Sequence, residues 1–463
     1  FDKNFLMGFN YLKITSGNDA IQPYKFDNLL IIFNGEIYNF RKIKKIIIKK
    51  HKIKFKTNSD TEVVAAAIRL LGLKSSLKLF RGMFSIIGYD FKKRLFFIAR
   101  DRLGIKPLFY FKNKSNIIMA STIESIRIAL GKRLRIKKKT MNDYIEKGYL
   151  DLNNKTFFEN IYSFPVASYV TFKDTFNEKD IIKIWELKTF NNSKTTNIND
   201  IRKVMKETFD IHRFKNKSAI PFSGGMDSNI IDYNYKNLFR VSLIGENQLE
   251  EKTLKKLSRK KKIFLISNKK INFKNSLKEV AQNLDQPIRS SHWVYQFYLR
   301  KLFKKKNIRV MYSGDGADEV FAGYNYAFRY LLNENKKNLT KKIKENKLII
   351  NWLKVNKNIN NFDKKISLKD FLKLRITKTH IPYWLRAEDE ISMNNSIETR
   401  VPFLDHITID RTFMKNSDIF FHKNKNKNIL RKIYSKYVDK SVLKQKKIGK
   451  PGFSEDTYLL FKK

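Results

Sequence analysis

The sequence predicts two domains of different class: an α+β domain built on antiparallel strands, followed by an α/β domain built on a parallel sheet. Up to residue 188, short apolar runs alternate with turns, as in antiparallel sheets. From residue 201, strand-like runs alternate with stripes at helical spacing, which predicts parallel strands joined by helical crossovers. Residues 189–200 are rich in Asn, Thr and Ser and lack periodicity. We therefore expect domains at 1–188 and 201–463 with a linker at 189–200.

Local patterns place the elements of the first domain. Strands are expected at residues 28–33, 83–89, 95–99 and 108–111, and helices around residues 43–48 and 63–71. The second helix follows Ser59 and Glu62, which have the spacing of a capping box. Asn34 and Gly35 lie between two apolar runs, and on its own this dipeptide is typical of a hairpin turn.

Local patterns also place the elements of the second domain, where strands alternate with helices. Strands are expected at residues 219–222, 241–244, 263–266 and 308–312, with helical stripes between them. Residues 333–365 are rich in Lys and Asn and predict a helical surface insertion.

Composition excludes several classes of protein. The 463 residues carry a formal net charge of +52 and contain no cysteine. A disulfide scaffold, a thiolate zinc site and a cysteine nucleophile are therefore excluded within these residues. No run approaches the ~18 apolar residues of a membrane span, so we expect a cytoplasmic protein without a membrane partner. Lysine is spread along the whole chain, which makes a solvated surface a better interpretation of the charge than a nucleic-acid site.

Residues 223–228, with the sequence SGGMDS, follow an expected strand and open an expected helix. The glycines let backbone N–H groups approach a ligand, and a helix N-terminus favours negative charge, so the segment predicts a phosphate cradle. The alternative is a tight Gly-Gly turn before a capped helix. No GxxxxGK[ST] motif occurs, which favours chemistry that releases pyrophosphate over hydrolysis of the γ-phosphate.

Residues 313–319, with the sequence SGDGADE, follow another expected strand and hold three carboxylates. At the carboxyl edge of a parallel sheet these could hold Mg²⁺ on pyrophosphate or supply a general base. The alternative is an acidic turn at a helix start. A third segment, residues 392–406, has no generic motif, and its charged residues are equally typical of an internal ion-pair network.

Together these segments resemble the glutamine-hydrolysing asparagine synthetase family, in family order along nearly the whole chain. The matching blocks are residues 33–39, 59–62, 100–110, 223–228, 314–324, 386–389, 392–393, 396–406 and 447–449. The resemblance implies an N-terminal-nucleophile glutaminase domain, a four-layer αββα sandwich that is incomplete here, followed by an ATP-pyrophosphatase domain. It implies an enzyme that adenylates aspartate with ATP and Mg²⁺ and displaces AMP with ammonia from glutamine.

The resemblance also implies roles for individual residues. Phosphate-binding or nucleotide-binding positions would be Ser223, Gly224, Gly225, Asp227, Ser228, Ser313 and Gly314. Catalytic positions would be Asp315, Lys447 and the oxyanion donor Asn34, with Asp227 and Asp318 near Mg²⁺–pyrophosphate. Glutamine would be held by Gly35, Glu36 and Asp60.

Three departures from the family pattern bear on these roles. The cysteine nucleophile is absent, and the chain enters the pattern near Met7, so we expect the start of the glutaminase domain to be missing and free ammonia to be the nitrogen source for this chain. Tyr11 stands where the family has an arginine that binds glutamine. Glu390 and Ile391 replace the usual Arg-Asn, which reverses a charge.

Three alternatives stay open at this point. One is a related amidotransferase acting on a sugar or a modified amino-acid carboxylate. Another is a basic RNA-modifying or nucleic-acid-binding protein with the same ATP-pyrophosphatase fold, and a third is a weakened paralogue kept for partner binding. The oligomeric state is open, and a homodimer is among the assemblies allowed.

Overall fold

The computed structural model describes residues 5–12, 14, 20–113, 116–147, 152–189, 197–245, 248–288, 290–324, 368–414, 420 and 426–444. The chain divides into two compact units, one of residues 1–142 and 150–186 and the other of residues 143–149 and 187–463. The expected insertion at 333–365 lies outside the described residues. No helix in the described part of the chain is long and apolar enough to cross a membrane.

The first unit contains two antiparallel sheets. Its strands are β1 (Tyr24–Phe26), β2 (Leu29–Ile37), β3 (Gly82–Asp90), β4 (Leu95–Arg100), β5 (Phe109–Lys112), β6 (Ile117–Ala120), β7 (Ile161–Ser163), β8 (Ser168–Phe172) and β9 (Ile182–Lys183). The six-stranded sheet has the order β1-β2-β3-β4-β8-β9, and the three-stranded sheet has the order β6-β5-β7. The helices are α1 (Phe40–His51), α2 (Asp60–Leu71), α3 (Leu73–Leu79), α4 (Ile123–Leu130) and α5 (Lys138–Lys147), the last of which crosses the division between the units.

Side-chain alternation along the strands builds four layers. Phe97 of β4 packs with α1 and α2 on one face of the larger sheet, while Ile98 packs with Tyr110 of β5 between the two sheets. Phe109 of β5 faces the other way, against Ile126 of α4. The order is therefore helices, sheet, sheet, helix, and the predicted αββα class is confirmed.

Two local predictions for the first unit are wrong in detail. Asn34 and Gly35 do not turn a hairpin, because β2 runs straight through them and pairs them with Ser85 and Phe84. The capping box at α2 is only half formed. Ser59 accepts from the N–H of Thr61, but Glu62 accepts from the N–H and hydroxyl of Thr57 and not from Ser59.

The second unit contains one five-stranded parallel sheet. Its strands are β10 (Ser218–Pro221), β11 (Leu238–Ile244), β12 (Ile263–Ser267), β13 (Val310–Tyr312) and β14 (Glu398–Arg400), in the order β12-β11-β10-β13-β14. The first helices are α6 (Ile198–Ile211), α7 (Met226–Asn234), α8 (Gln248–Ser258), α9 (Phe273–Gln282), α10 (His292–Lys305) and α11 (Ala317–Val320). Helix α6 begins inside the segment predicted as a linker.

The later helices are α12 (Leu368–Leu374), α13 (His380–Met393), α14 (His406–Phe413), α15 (Asn428–Tyr434) and α16 (Lys440–Lys444). A π-helical segment, Arg375–Thr379, separates α12 from α13. The parallel sheet was predicted, but β14 was not, because its residues are Glu, Thr and Arg. All three are buried, and Arg400 is matched by Glu398 at 2.9 Å.

A buried carboxylate closes the turn between β4 and β5. Asp101 is fully buried, and its two oxygens accept from the N–H groups of Leu103, Ile105, Lys106 and Phe84 at 3.0 to 3.2 Å. The side chain thus replaces water for four backbone donors and ties β3 to this turn.

We expect Asp101→Ala to lower the free energy of unfolding by about 3 kcal/mol or more, because each buried donor left without a partner costs about 1–3 kcal/mol. Urea denaturation measures the loss. The matched control is Asp174→Ala at an exposed carboxylate, which should change little. Equal effects of the two substitutions would contradict the assignment.

Candidate active site

The two glycine-rich loops of the second unit lie side by side at one edge of its sheet. From β10 the chain first builds outward to β11 and β12, then returns to place β13 on the other side of β10. The strand order therefore reverses between β10 and β13, and ligands of parallel sheets bind at the carboxyl ends of strands at such a point. Residues 223–228 follow β10 and residues 313–319 follow β13.

The loop after β10 is a compact turn that leads into α7. Gly224 has φ +73°, a conformation that favours glycine. The Ser223 hydroxyl accepts from the N–H of Gly225 at 3.3 Å and lies 3.3 Å from the Ser228 hydroxyl. The Asn229 amide donates to the carbonyls of Gly224 and Gly225 at 2.9 and 3.0 Å. These bonds fix the loop at the N-terminus of α7, where an anion is favoured.

The loop after β13 packs directly against the first loop. A Cβ at Gly314 would lie 3.1 Å from the Cβ of Asp227, so glycine lets the two loops approach. Gly316 has φ +84° and faces Leu404, which leaves no room for a side chain. The predicted cluster of Ser223, Asp227 and Gly314 is thus brought together.

Lys427 links the two loops and was not found from the sequence. Its ammonium lies 2.6 Å from both carboxylate oxygens of Asp227 and 2.6 Å from Oδ1 of Asp318. The side chain is buried, just ahead of α15. Lysines crowd this part of the sequence, so charge pattern alone could not single it out. The lysine that was predicted, Lys447, lies outside the described residues.

The Asp315 carboxylate is held at both oxygens by neutral donors. The Ser313 hydroxyl donates to Oδ2 at 2.7 Å, and the indole N–H of Trp384 donates to Oδ1 at 2.9 Å. Loss of hydration, with a smaller contribution from the charge of Glu388, raises the pKa of Asp315 to about 7. This carboxyl group therefore changes its charge near neutral pH.

The third carboxylate of the acidic turn has a different set of partners. Glu319 is buried and accepts from the Tyr324 hydroxyl at 2.8 Å. Arg375 lies 3.6 Å and His380 3.5 Å from the same oxygen. Glu319 is therefore a tethered structural carboxylate, unlike Asp315.

The third segment contains an internal ion pair, Arg400–Glu398, and joins a buried polar network around Glu388. Glu388 pairs with the buried Arg300 and accepts from the Thr399 hydroxyl at 2.9 Å. Asp405 caps α14 by accepting from the N–H groups of Ile407 and Thr408 at 3.1 and 3.2 Å.

The reversed charge at Glu390 is compensated within α13. Arg386, one turn earlier, donates to Glu390 at 3.0 Å, and the N–H of Asp285 donates to its other oxygen at 3.3 Å. Burial still raises the pKa of Glu390 to about 8, with Arg386 opposing the rise and Asp285 adding to it. Ile391 is fully buried in the core.

The residues of the first unit that were predicted to hold glutamine lie around the end of β2. A Cβ at Gly35 would meet the carbonyl of Met83, so only glycine fits there, and Asn34 pairs with Ser85. Asp60 starts α2 and accepts from the N–H of Ile37 at 3.0 Å. Glu36 is buried beside Gly35.

Two further residues of the first unit bear on that site. Gln22, which the sequence did not single out, donates to the carbonyl of Phe33 at 3.0 Å and accepts from its N–H at 2.5 Å, which fixes the strand just before Asn34. Tyr11 has 37% of its surface exposed.

We expect Lys427→Met to remove the ammonium that Asp227 and Asp318 share and to leave the two carboxylates close together. The free energy of unfolding should fall by about 1–3 kcal/mol, because two partly buried carboxylates lose a charged partner. Millimolar MgCl₂ should recover more of the melting temperature in this variant than in the wild type. Lys260→Met, at the exposed pair with Asp439, is the control and should change little. An equal loss in both variants would contradict the bridge.

We expect Glu390→Gln to flatten the pH dependence of stability. In the native state the carboxyl keeps its proton up to about pH 8, whereas in the unfolded chain it loses the proton near its usual value of 4.5. Folding therefore takes up a proton between these values, and rising pH destabilises the wild type by at most about 1.4 kcal/mol per pH unit. Denaturation series between pH 5 and 8 measure the slope. Glu279→Gln, at an exposed pair with Lys301, is the control.

Comparison with known proteins agrees with this architecture. A family described as "Glutamine amidotransferase domain" matches residues 1–183, and one described as "Asparagine synthase" matches residues 216–459. The solved glutamine phosphoribosylpyrophosphate amidotransferase from B. subtilis covers 66% of this chain and 61% of its own at 12% identity, but its TM-score of 0.26 is too low to support an argument.

Curated relatives cover most of the chain. Asparagine synthetase [glutamine-hydrolyzing] 1 of Bacillus subtilis (strain 168) is 26% identical over 97% of this chain and 80% of its own length. Asparagine synthetase [glutamine-hydrolyzing] 2 of the same organism is 25% identical over 88% of this chain and 60% of its own length. The chain belongs to the asparagine synthase family, with a glutamine amidotransferase domain ahead of the asparagine synthase domain.

Proposed function

We propose that the chain is an ATP-dependent amide ligase that converts aspartate to asparagine through a β-aspartyl-AMP intermediate. The observation that carries the proposal is the pair of loops at the reversal of strand order, drawn together by Lys427 between Asp227 and Asp318. The asparagine synthetases among the relatives support the same reaction class.

The loop after β10 would hold the phosphates of ATP. Ser223, Gly224, Gly225 and Ser228 offer backbone N–H groups and hydroxyls at the N-terminus of α7, and Ser313 and Gly314 would border the nucleotide from the neighbouring loop. The aspartate side-chain carboxylate would attack the α-phosphorus, and pyrophosphate would leave. Lys427 offers a fixed positive charge between the loops. Lys447 stays a proposal from the family resemblance.

Asp227 and Asp318 are better suited to bind Mg²⁺ that arrives with pyrophosphate than to form a metal site from protein ligands alone. Among the described residues, no group of three or more His, Asp or Glu side chains could hold a metal ion. Mg²⁺ is commonly bound by one or two carboxylates together with substrate phosphates and water. These two carboxylates would hold it, and when bound it would neutralise charge on the pyrophosphate.

Asp315 would act as the general base in the second half of the reaction. Ammonia would attack the carbonyl carbon of the acyl adenylate, the C–O bond to AMP would break, and the proton lost by nitrogen would go to the Asp315 carboxylate. A pKa of about 7 suits this role, because it lies near the operating pH.

The nitrogen source for this chain would be free ammonia. Glutamine hydrolysis by this class of domain needs a covalent nucleophile, and these 463 residues contain no cysteine. Asn34, as oxyanion donor, and Gly35, Glu36 and Asp60, as glutamine-binding residues, remain proposals that matter once a nucleophile is supplied.

A second candidate is a related amidotransferase whose acceptor is a sugar or a modified amino-acid carboxylate. The observation that favours it is the departure at Glu390 and Ile391, where the family usually has Arg-Asn, together with the buried ion pair that Glu390 forms with Arg386. The acceptor used in the assay below separates the two candidates.

We expect the protein to catalyse aspartate-dependent exchange of radiolabelled pyrophosphate into ATP, and to form asparagine when ammonium is added. Asp315→Asn should keep the exchange but slow amide formation at least about 100-fold, because removal of a general base costs about 10²–10⁴. Amide formation in the wild type should rise with pH through about 7 as Asp315 ionises. Asp174→Asn is the matched control.

Exchange that depends on another carboxylate and not on aspartate would favour the second candidate. The absence of exchange with every carboxylate tried would rule out the ligase.

A further inference from the structure

The three carboxylates of the acidic turn are held by three different groups. Asp318 shares Lys427 with Asp227, and Glu319 is tied to Tyr324 and Arg375. Among the described residues, Asp315 is the one of the three that accepts from an indole N–H, that of Trp384. The tryptophan is therefore specific to the carboxylate for which a proton-transfer role is proposed.

Packing keeps the Trp384 ring from turning. His380, four residues earlier on α13, stacks on the indole at 5.3 Å and 20° between planes, and His292 at the start of α10 stacks on it at 5.2 Å and 30°. Trp293 lies 4.4 Å from the same ring, is fully buried, and donates to the Tyr383 hydroxyl at 3.1 Å. Three rings from two helices thus surround the indole, and aromatic pairs of this kind add stability beyond their buried area.

One of the rings stacked on Trp384 also contacts the acidic turn. His380 also lies 3.5 Å from Glu319 and 3.4 Å from the Tyr324 hydroxyl. The same face of α13 therefore contacts the acidic turn at two points: His380 lies near Glu319, and Trp384 donates to Asp315. A shift of the turn relative to the helix would break both.

We propose that Trp384 is a positioning residue for the Asp315 carboxylate, with its indole N–H fixed by the surrounding rings so that one oxygen is held and the carboxylate keeps a single orientation. With Oδ1 occupied by the indole and Oδ2 by Ser313, rotation of the carboxylate would cost two hydrogen bonds. The effect that we expect on reaction rate rests on the proposed function, whereas the hydrogen-bond geometry does not depend on it.

Both donors favour the ionised form of Asp315, whereas its surroundings include charges of both signs. Glu388 and Glu319 oppose ionisation, and Arg300 favours it. His292 and His380 are the titratable rings that stack on the indole. Loss of the indole N–H should therefore raise the pKa of Asp315 further and move any activity that needs its ionised form to higher pH.

The direct test replaces the four tryptophans of the protein with 5-fluorotryptophan. We expect each of them to give its own ¹⁹F resonance. We expect one resonance to titrate between pH 5 and 9, to be absent in Trp384→Phe, and to lose its titration in Asp315→Asn. Trp185→Phe, in the other unit, should remove a different resonance and leave the titration unchanged. A Trp384 resonance that does not titrate, or that titrates equally in Asp315→Asn because a histidine is responsible, would overturn the proposal.

The kinetic test uses amide formation as a function of pH. Trp384→Phe keeps an aromatic ring in the stack and removes only the donor, so we expect a rate about fivefold lower at pH 7 that returns to within about twofold at pH 9. A loss that is the same at every pH would indicate a merely structural role and would contradict the proposal.

The two tests separate failure of the function from failure of this inference. If the wild type lacks pyrophosphate exchange, the ligase is wrong, while the ¹⁹F titration still decides whether Trp384 senses Asp315. If Trp384→Phe does not fold, the comparison of wild type with Asp315→Asn gives the same decision.

Discussion

The buried ammonium of Lys427 is the contact on which the site of the second unit depends. Asp227 and Asp318 come from loops that follow different strands, and like charges so close would repel each other. One lysine shared between them turns that repulsion into a link across the point where strand order reverses. Glycine at position 314 then lets that loop approach Asp227 closely.

Helix α13 supplies the other side of the site through a simple periodicity. His380, Trp384, Glu388 and Ser392 follow one another at intervals of four residues and so lie on one face of the helix. His380 contacts Glu319 and Trp384 contacts Asp315, while Glu388 and Ser392 share contacts with Arg300 and Thr399. Arg386 and Glu390 use the same interval on another face, which explains how α13 accommodates a reversed charge without losing its order.

The parts of this structure that the sequence could predict are those with local causes. Gly224 and Gly316 stand at positions with positive φ, so the two glycine-rich loops were visible as motifs. Strand β14 was missed because its charged residues are buried through an ion pair inside the strand and through pairing with the distant strand β13. Asn34–Gly35 was misread because tertiary pairing extends β2 beyond a dipeptide that favours turns. Lys427 and Trp384 were not predicted as site residues for the same reason, since the partners that each contacts are far away in the chain.

The π-helical segment at Arg375–Thr379 determines how α13 would respond to the deletion of a residue before it. A π turn holds about one residue more than an α turn, so it advances the following helix by about 100° around its axis. The face of α13 that meets the acidic turn is thus set by the phase of the segment before it. Substitutions on α13 would alter one contact at a time, whereas deletion of a single residue from that turn would rotate His380, Trp384, Glu388 and Ser392 away from their partners together.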